Sequence, residues 1–296
     1  MNNLVYWEGP TVPRTLRWAH PRLTRRFLRA VPNFGDRLAP QIVAGALAHH
    51  HRLADRAPSR RLLTVGSVLH MAQRGDVVWG SGKNGRIPDD RHDTSSLDIR
   101  AVRGPLTRRW LEEREVECPE VFGDPALLLP LFREDLVSLA ATERHGVTFV
   151  SHIDDPIRSR RPGIHTVSPR ADPEEILRAL VTSRLVIATS LHAVIVAEAF
   201  GVPARSIVNR AEPEFKFADY YHATGRRTYE RASSISEAIR LGGERPAEFD
   251  PGPLLAAFPL DLFDDGSNDD RSLNDRSVDD RSLETSPQVR GTHVCD

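Results

Sequence analysis

The 296-residue chain predicts an α/β fold built on parallel sheets. Short apolar runs alternate with helical patterns along the first 263 residues. Several runs end in Gly-, Asp- or Ser-bearing turns that lead straight into a helix. Strand–helix alternation of this kind gives parallel strands joined by crossover helices. At this length two cores are expected rather than one, with the seam between Pro130 and His145. We therefore expect an N-terminal domain over 1–135, a C-terminal domain over 145–263 and a tail over 264–296.

In the first half the strands fall at Leu4–Trp7, Leu62–Val65, Val77–Trp79, Ile99–Val102 and Val121–Phe122. Helices cover Asp36–His49 and Pro105–Glu113, the second with proline at its first position. In the second half strands fit Val147–Ser151, His165–Val167, Leu185–Ala188 and Arg205–Val208. Asp172-Pro173-Glu174-Glu175 starts a helix that runs to about Ser183, with a capping Asp, a proline and then acids in the first turn. Another helix opens at Ser190 and stops at Gly201 and Pro203. The tail repeats Asp-Arg-Ser-Leu/Val at a period of five, which matches neither helix nor strand. It offers too little apolar surface to offset the entropy of ordering, so it is expected to be disordered.

Composition narrows the function. Hydrophobic content of 40% and charged content of 27% fit a soluble globular chain. No apolar stretch reaches bilayer length, and Glu8-Gly9-Pro10 interrupts the first apolar run, so neither a transmembrane helix nor a signal peptide is expected. The two cysteines, Cys118 and Cys295, form no metal or disulfide pattern, which points to a reducing cytoplasm. Nine acids and four arginines give the tail −5 of the net −1, leaving +4 on the body. That suits an anionic substrate and is too weak for nucleic acid.

The most informative stretch is Thr189-Ser190-Leu191-His192, where an apolar strand runs into a helix. Free N–H groups and the positive dipole end make such a junction an anion site. His192 either works there, binding a phosphate or moving a proton, or is a helix-start residue that bonds a loop. Asn33-Phe34-Gly35-Asp36 precedes the first helix; Asn33 or Asp36 can cap it, and Gly35 permits close approach to backbone. Gly80-Ser81-Gly82-Lys83-Asn84-Gly85 is a Gly-rich turn able to cradle an anion, without a P-loop ending. The polar segment from Asn84 to Ser96 follows it as a loop over the cleft. Arg103, at a strand end before Gly104-Pro105, can clamp a carboxylate or phosphate or form a salt bridge. Arg100, three residues earlier, cannot share its face. Asp124 ends another strand. Lys216 and Asp219 stand among aromatics at 215–221, either as a contact to an anion or sugar or as an i,i+3 pair on an amphipathic helix.

Together these segments resemble the polysaccharide pyruvyl transferase family: Asn33-Phe34-Gly35-Asp36, Gly80-Ser81-Gly82, Val102-Arg103-Gly104-Pro105-Leu106-Thr107, Gly123-Asp124-Pro125-Ala126-Leu127-Leu128-Leu129, Ser190-Leu191-His192-Ala193, Ala197-Glu198-Ala199-Phe200-Gly201-Val202-Pro203 and Phe215-Lys216-Phe217-Ala218-Asp219-Tyr220. They occur in order over residues 33 to 225. The resemblance implies two Rossmann-like domains arranged like a GT-B glycosyltransferase. It implies phosphoenolpyruvate as donor, a glycan as acceptor, free or lipid-linked, and a pyruvate ketal as product. The chemistry needs neither cofactor nor metal, and peripheral membrane contact is compatible with it. His192 and Asp36 become the candidate catalytic residues. Arg103, Ser190, Gly82 and Lys216 become the donor-binding candidates, while Asn33, Asp124 and Glu198 serve the acceptor or the structure. Ser190 stands where many members carry arginine, so Lys216 or the helix N-terminus would supply the missing charge. Two other readings stay open. One is a GT-B glycosyltransferase using a nucleotide sugar, with Glu198 on the ribose; the other is a non-catalytic glycan-binding relative.

Overall fold

A computed structural model describes residues 3–6, 9–11, 29–31, 34–35, 37–53, 57–142, 144–154, 161–210 and 213–264. Asn33, Asp36, Trp7 and tail residues 265–296 lie outside the described residues. The chain up to Phe263 forms one compact unit by its contacts. It holds two four-stranded parallel sheets and one two-stranded antiparallel ribbon.

The first sheet contains β1 (Leu4–Val5); the ribbon is β2 (Gly9–Thr11) with β3 (Arg29–Val31). Helix α1 (Leu38–His49) precedes β4 (Leu62–Leu63), β5 (Val77–Trp79) and β6 (Asp98–Ala101). The order β1-β4-β5-β6 follows the chain without reversal. Beyond β6, the expected strand at 121–122 contributes only the parallel bridge Val102↔Phe122. Helix α2 (Pro105–Glu112) crosses between these last two positions, while the β4–β5 and β5–β6 connections carry only 3₁₀ turns at Leu69–Met71 and Asp89–Arg91. The seam segment holds two short helices, α3 (Leu129–Phe132) and α4 (Glu134–Ala140).

The second sheet is built from β7 (His145–Val150), β8 (Ile164–Val167), helix α5 (Pro173–Val181), β9 (Ser183–Ala188), helix α6 (Leu191–Ala199) and β10 (Ala204–Ser206). Asp172 accepts from the Glu174 N–H at 2.9 Å, the cap its sequence predicts. The strand order β8-β7-β9-β10 reverses direction between β7 and β9. That is the topological switch point of a doubly wound sheet, where the strand ends open a crevice. Three helices follow: α7 (Glu214–Ala223), α8 (Ile235–Leu241) and α9 (Pro251–Ala256). No helix among the described residues is long and apolar enough to cross a membrane.

Adjacent strand residues feed opposite cores, as parallel sheets covered on both faces require. Leu62, Val77, Val150 and Val186 enter one large core that both sheets share with α1, α5 and α6. Leu63 and Val78 face a flank with Trp110 and Leu111, and Phe149 and Ile187 face another with Ile207 and Ala238. Residues 251–263, read from the sequence as part of the second domain, pack on the first sheet. The reason lies in Trp79: its fully buried indole N–H needs an acceptor, and the Leu254 carbonyl supplies it at 2.8 Å. Arg100 reinforces the contact by pairing with Asp98 and with Asp261 at 3.0 Å.

Candidate functional site

The candidate residues lie at the C-terminal edges of both sheets. After β5 comes Gly80-Ser81-Gly82, after β6 Arg103, after the 121–122 bridge Asp124, and after β9 Ser190 and His192. Backbone bonds hold these edges in line: Gly80 N–H to Ala101 O at 2.9 Å, Arg103 N–H to Ser81 O at 3.1 Å and Gly123 N–H to Val102 O at 3.1 Å. At the switch point Thr189 stitches the neighbouring strands. Its N–H donates to Val150 O at 3.1 Å, its hydroxyl accepts from His152 N–H at 2.7 Å, and its carbonyl accepts from Asn209 at 3.1 Å.

Two clusters result. In the first, His192 Nε2 faces Asp124 Oδ2 at 3.6 Å. Both atoms are buried and without a hydrogen-bond partner among the described residues. Asp124 is fully buried, while the His192 side chain keeps 13% exposure. The other carboxylate oxygen of Asp124 accepts from Ala126 N–H at 3.0 Å, capping the 3₁₀ turn Pro125–Leu128. That turn packs against α6, which carries His192. Gly35 seats the ring's far side: a Cβ there would overlap His192 Nδ1. The close approach that Gly35 permits is thus used by His192. Ser190 occupies the N-cap of α6 in extended conformation (φ −93°, ψ 126°) and makes no side-chain capping bond among the described residues. The first-turn N–H groups of α6 therefore lack a side-chain acceptor at that position.

The second cluster is saturated. Asp219, on α7, receives Leu106 N–H and Thr107 N–H at 2.9 Å each and the Thr107 hydroxyl at 2.7 Å. It caps α2 from a distant helix, because the N-cap residue Gly104 has no side chain to do so. Gly104 must be glycine: a Cβ would collide with the Asp219 backbone carbonyl. Arg103 bonds Asp219 through Nε at 3.1 Å and Nη2 at 3.0 Å, Ser67 through Nη1 at 2.6 Å and the Lys83 carbonyl through Nη2 at 3.0 Å. Its guanidinium lies over Gly82, where a Cβ would overlap it. The fork foreseen as a phosphate clamp is turned to protein acceptors.

The remaining candidates separate. The Glu198 side chain keeps 5% exposure, and its oxygens are taken by Arg226 at 2.8 Å and by the Tyr220 hydroxyl at 2.6 Å. Burial, with the Glu198 charge beside it, drives the Tyr220 phenol well above its usual range. Glu198 is therefore a core ion pair with nothing turned outward for a ribose. Lys216 lies half-buried on α7. The segment after Gly82, read as a loop over the cleft, is tethered. Asp89 is bonded by Lys83 at 2.7 Å, Arg114 at 2.7 Å and the Trp110 indole at 3.0 Å. The Lys83 bond above all, then the indole, holds the Asp89 carboxyl at about 2. Arg86 also reaches Asp154 at 3.6 Å. Sequence reasoning missed Asp219 as a cap and Arg226 as the partner of Glu198. The glycine at 104, beside an arginine and before a proline, was the available signal for the first.

The family model for polysaccharide pyruvyl transferase matches residues 90–210, which hold Arg103, Asp124, Ser190 and His192. Over that stretch the chain is similar to the polysaccharide pyruvyl transferase family. It is similar to the succinoglycan biosynthesis protein ExoV of Rhizobium meliloti (strain 1021), at 30% identity over 182 residues. That match covers 57% of this chain and 55% of the relative, so the chain spans about half the length of the curated relative. A solved protein of Klebsiella pneumoniae described as uncharacterized aligns over 74% of this chain and 87% of its own, at 13% identity and a TM-score of 0.40. Within the family-matched stretch, His192 and Asp124 form the unsaturated cluster, whereas Arg103 belongs to the saturated one.

Proposed function

We propose that the chain transfers pyruvate from phosphoenolpyruvate to a glycan as a ketal, in polysaccharide synthesis. The observation that carries this reading is the unpaired His192–Asp124 couple at the open N-terminus of α6, in a family-matched segment at the switch point. An anion seated there would meet N–H donors and the positive dipole end. A trianionic donor at neutral pH needs such a seat.

The reaction adds one proton to the methylene carbon of the donor. One glycan hydroxyl then bonds the adjacent carbon and loses its proton. The carbon–oxygen bond to phosphate breaks, and the second hydroxyl takes that place, losing its proton as well. One of the two released protons replaces the one spent on carbon, and the other leaves with phosphate. His192 is the group able to move these protons near neutral pH. Arg103 serves by fixing the Gly82 turn and the start of α2 rather than by gripping phosphate. The two parallel sheets, with candidate residues at the C-terminal ends of both, correspond in our reading to a GT-B-like arrangement.

The test is phosphate release from phosphoenolpyruvate across a panel of free and lipid-linked glycans, run beside nucleotide sugars. Acceptor-dependent release supports the reading. Turnover of a nucleotide sugar instead overturns it, as does glycan binding without release from any acceptor.

A further inference from the structure

We propose that Asp124 is a positioning residue that fixes the proton of neutral His192 on Nε2, leaving Nδ1, over Gly35, as the nitrogen that exchanges protons with substrate. The inference rests on the pyruvyl-transfer reading for its substrate but not for its geometry. Asp124 is locked in place: its Oδ1 is committed to the Ala126 N–H at 3.0 Å, and the side chain is fully buried. An ionised carboxylate can only accept hydrogen bonds. Its free oxygen, Oδ2, faces His192 Nε2 at 3.6 Å, and that nitrogen is likewise buried and unpartnered among the described residues. Buried polar atoms are ordinarily paired, so a donor on Nε2 satisfies both atoms at once. Closure by roughly half an ångström brings them within hydrogen-bond range, and such bonds tighten when substrate binds.

The ring's other nitrogen has the opposite surroundings. Nδ1 lies where a side chain on residue 35 would begin, a seat that glycine leaves for the ring, and unlike Nε2 it is not among the buried unpartnered atoms. A neutral imidazole carries one N–H and one bare nitrogen. With the proton drawn to Nε2 by Asp124, the bare nitrogen is Nδ1.

The substitution Asp124→Asn gives a sharp contrast. Its amide oxygen keeps the bond to Ala126 N–H, so its NH₂ group takes the place of Oδ2 and presents a donor to Nε2. The proton of neutral His192 must then move to Nδ1. The experiment is long-range ¹H–¹⁵N correlation on the full chain labelled with ¹⁵N-histidine, above pH 8, where an ordinary histidine is neutral. The His192 signals are identified by their loss in His192→Gln. We expect the Nε2–H tautomer in the wild type and the Nδ1–H tautomer in Asp124→Asn. Acceptor-dependent phosphate release in that variant should fall about a hundredfold or more, with KM for phosphoenolpyruvate unchanged. An Nδ1–H tautomer in the wild type overturns the proposal without any variant having to fold. So does an Asp124→Asn protein that keeps full turnover. A wild type that shows the Nε2–H tautomer yet releases no phosphate with any glycan upholds the pairing and overturns the pyruvyl-transfer reading instead.

Discussion

Two couples of an acid with a basic side chain stand at the sheet edges, and they are finished to different degrees. Arg103 and Asp219 exchange bonds with each other, with two backbone N–H groups, with two hydroxyls and with a carbonyl. Asp124 and His192 stop 3.6 Å apart, each with a buried atom unanswered. Burial penalises an unmet polar group by about 1–3 kcal/mol. A fold tolerates that cost where the group has another use. The saturated couple holds two glycine turns and a helix start; the unsaturated one is available to a ligand.

Substitutions should separate these roles. The largest effect on stability is expected at the saturated couple. Asp219→Ala strands a buried guanidinium and uncaps α2, so the unfolding free energy should drop by about 3–5 kcal/mol in denaturant titration. A drop below about 1 kcal/mol would show that Arg103 has another partner and is free to serve a ligand. Next comes the Glu198–Arg226 pair, which also takes the Tyr220 hydroxyl. Glu198→Gln should lower the denaturation midpoint clearly while leaving turnover per folded molecule within about threefold. A selective loss of turnover with intact stability would return Glu198 to the site.

Much of this contrast was legible in the sequence. The parallel sheets, the capped helix at Asp172 and the strand–His192–helix junction follow from local pattern: apolar run, cap and stop residue. The opposite fates of Arg100 and Arg103 follow from the two-residue period of a strand. What local pattern does not contain is pairing over long separations. Asp219 caps a helix more than a hundred residues earlier, and Leu254 answers Trp79 from far downstream. Gly35 and Gly82 read as room for a ligand, yet the space above each is filled by His192 and by Arg103. A glycine announces a close approach without naming what approaches.

Smaller effects sharpen the contrast at its margin. His70 and His92 stand with their rings 6.3 Å apart. Burial chiefly, with each other's charge for His70, holds both imidazoles below the ordinary 6.5. The unfolded chain therefore takes up protons before the folded one does. Stability should be highest above pH 6.5 and should decline as pH falls through it. Melting temperatures at pH 7.5 and 5.5 check this, and the double variant His70→Gln/His92→Gln should flatten the difference. Asp89 should matter least for stability. Its side chain is 46% exposed, so Asp89→Asn should cost under about 1 kcal/mol. Hydrogen exchange at residues 84–96 should rise in that variant, because the tether to Lys83, Arg114 and Trp110 is weakened.

The most direct test of the contrast is acceptor-dependent phosphate release by His192→Gln, with its denaturation midpoint measured on the same preparation. A group kept for chemistry should take the activity with it and leave the fold intact. The expected result is a loss of about a hundredfold or more in turnover at a midpoint close to that of the wild type. Near-normal release with a lowered midpoint would contradict the account, for it would make His192 a helix-start residue and the gap beside Asp124 a mere packing fault.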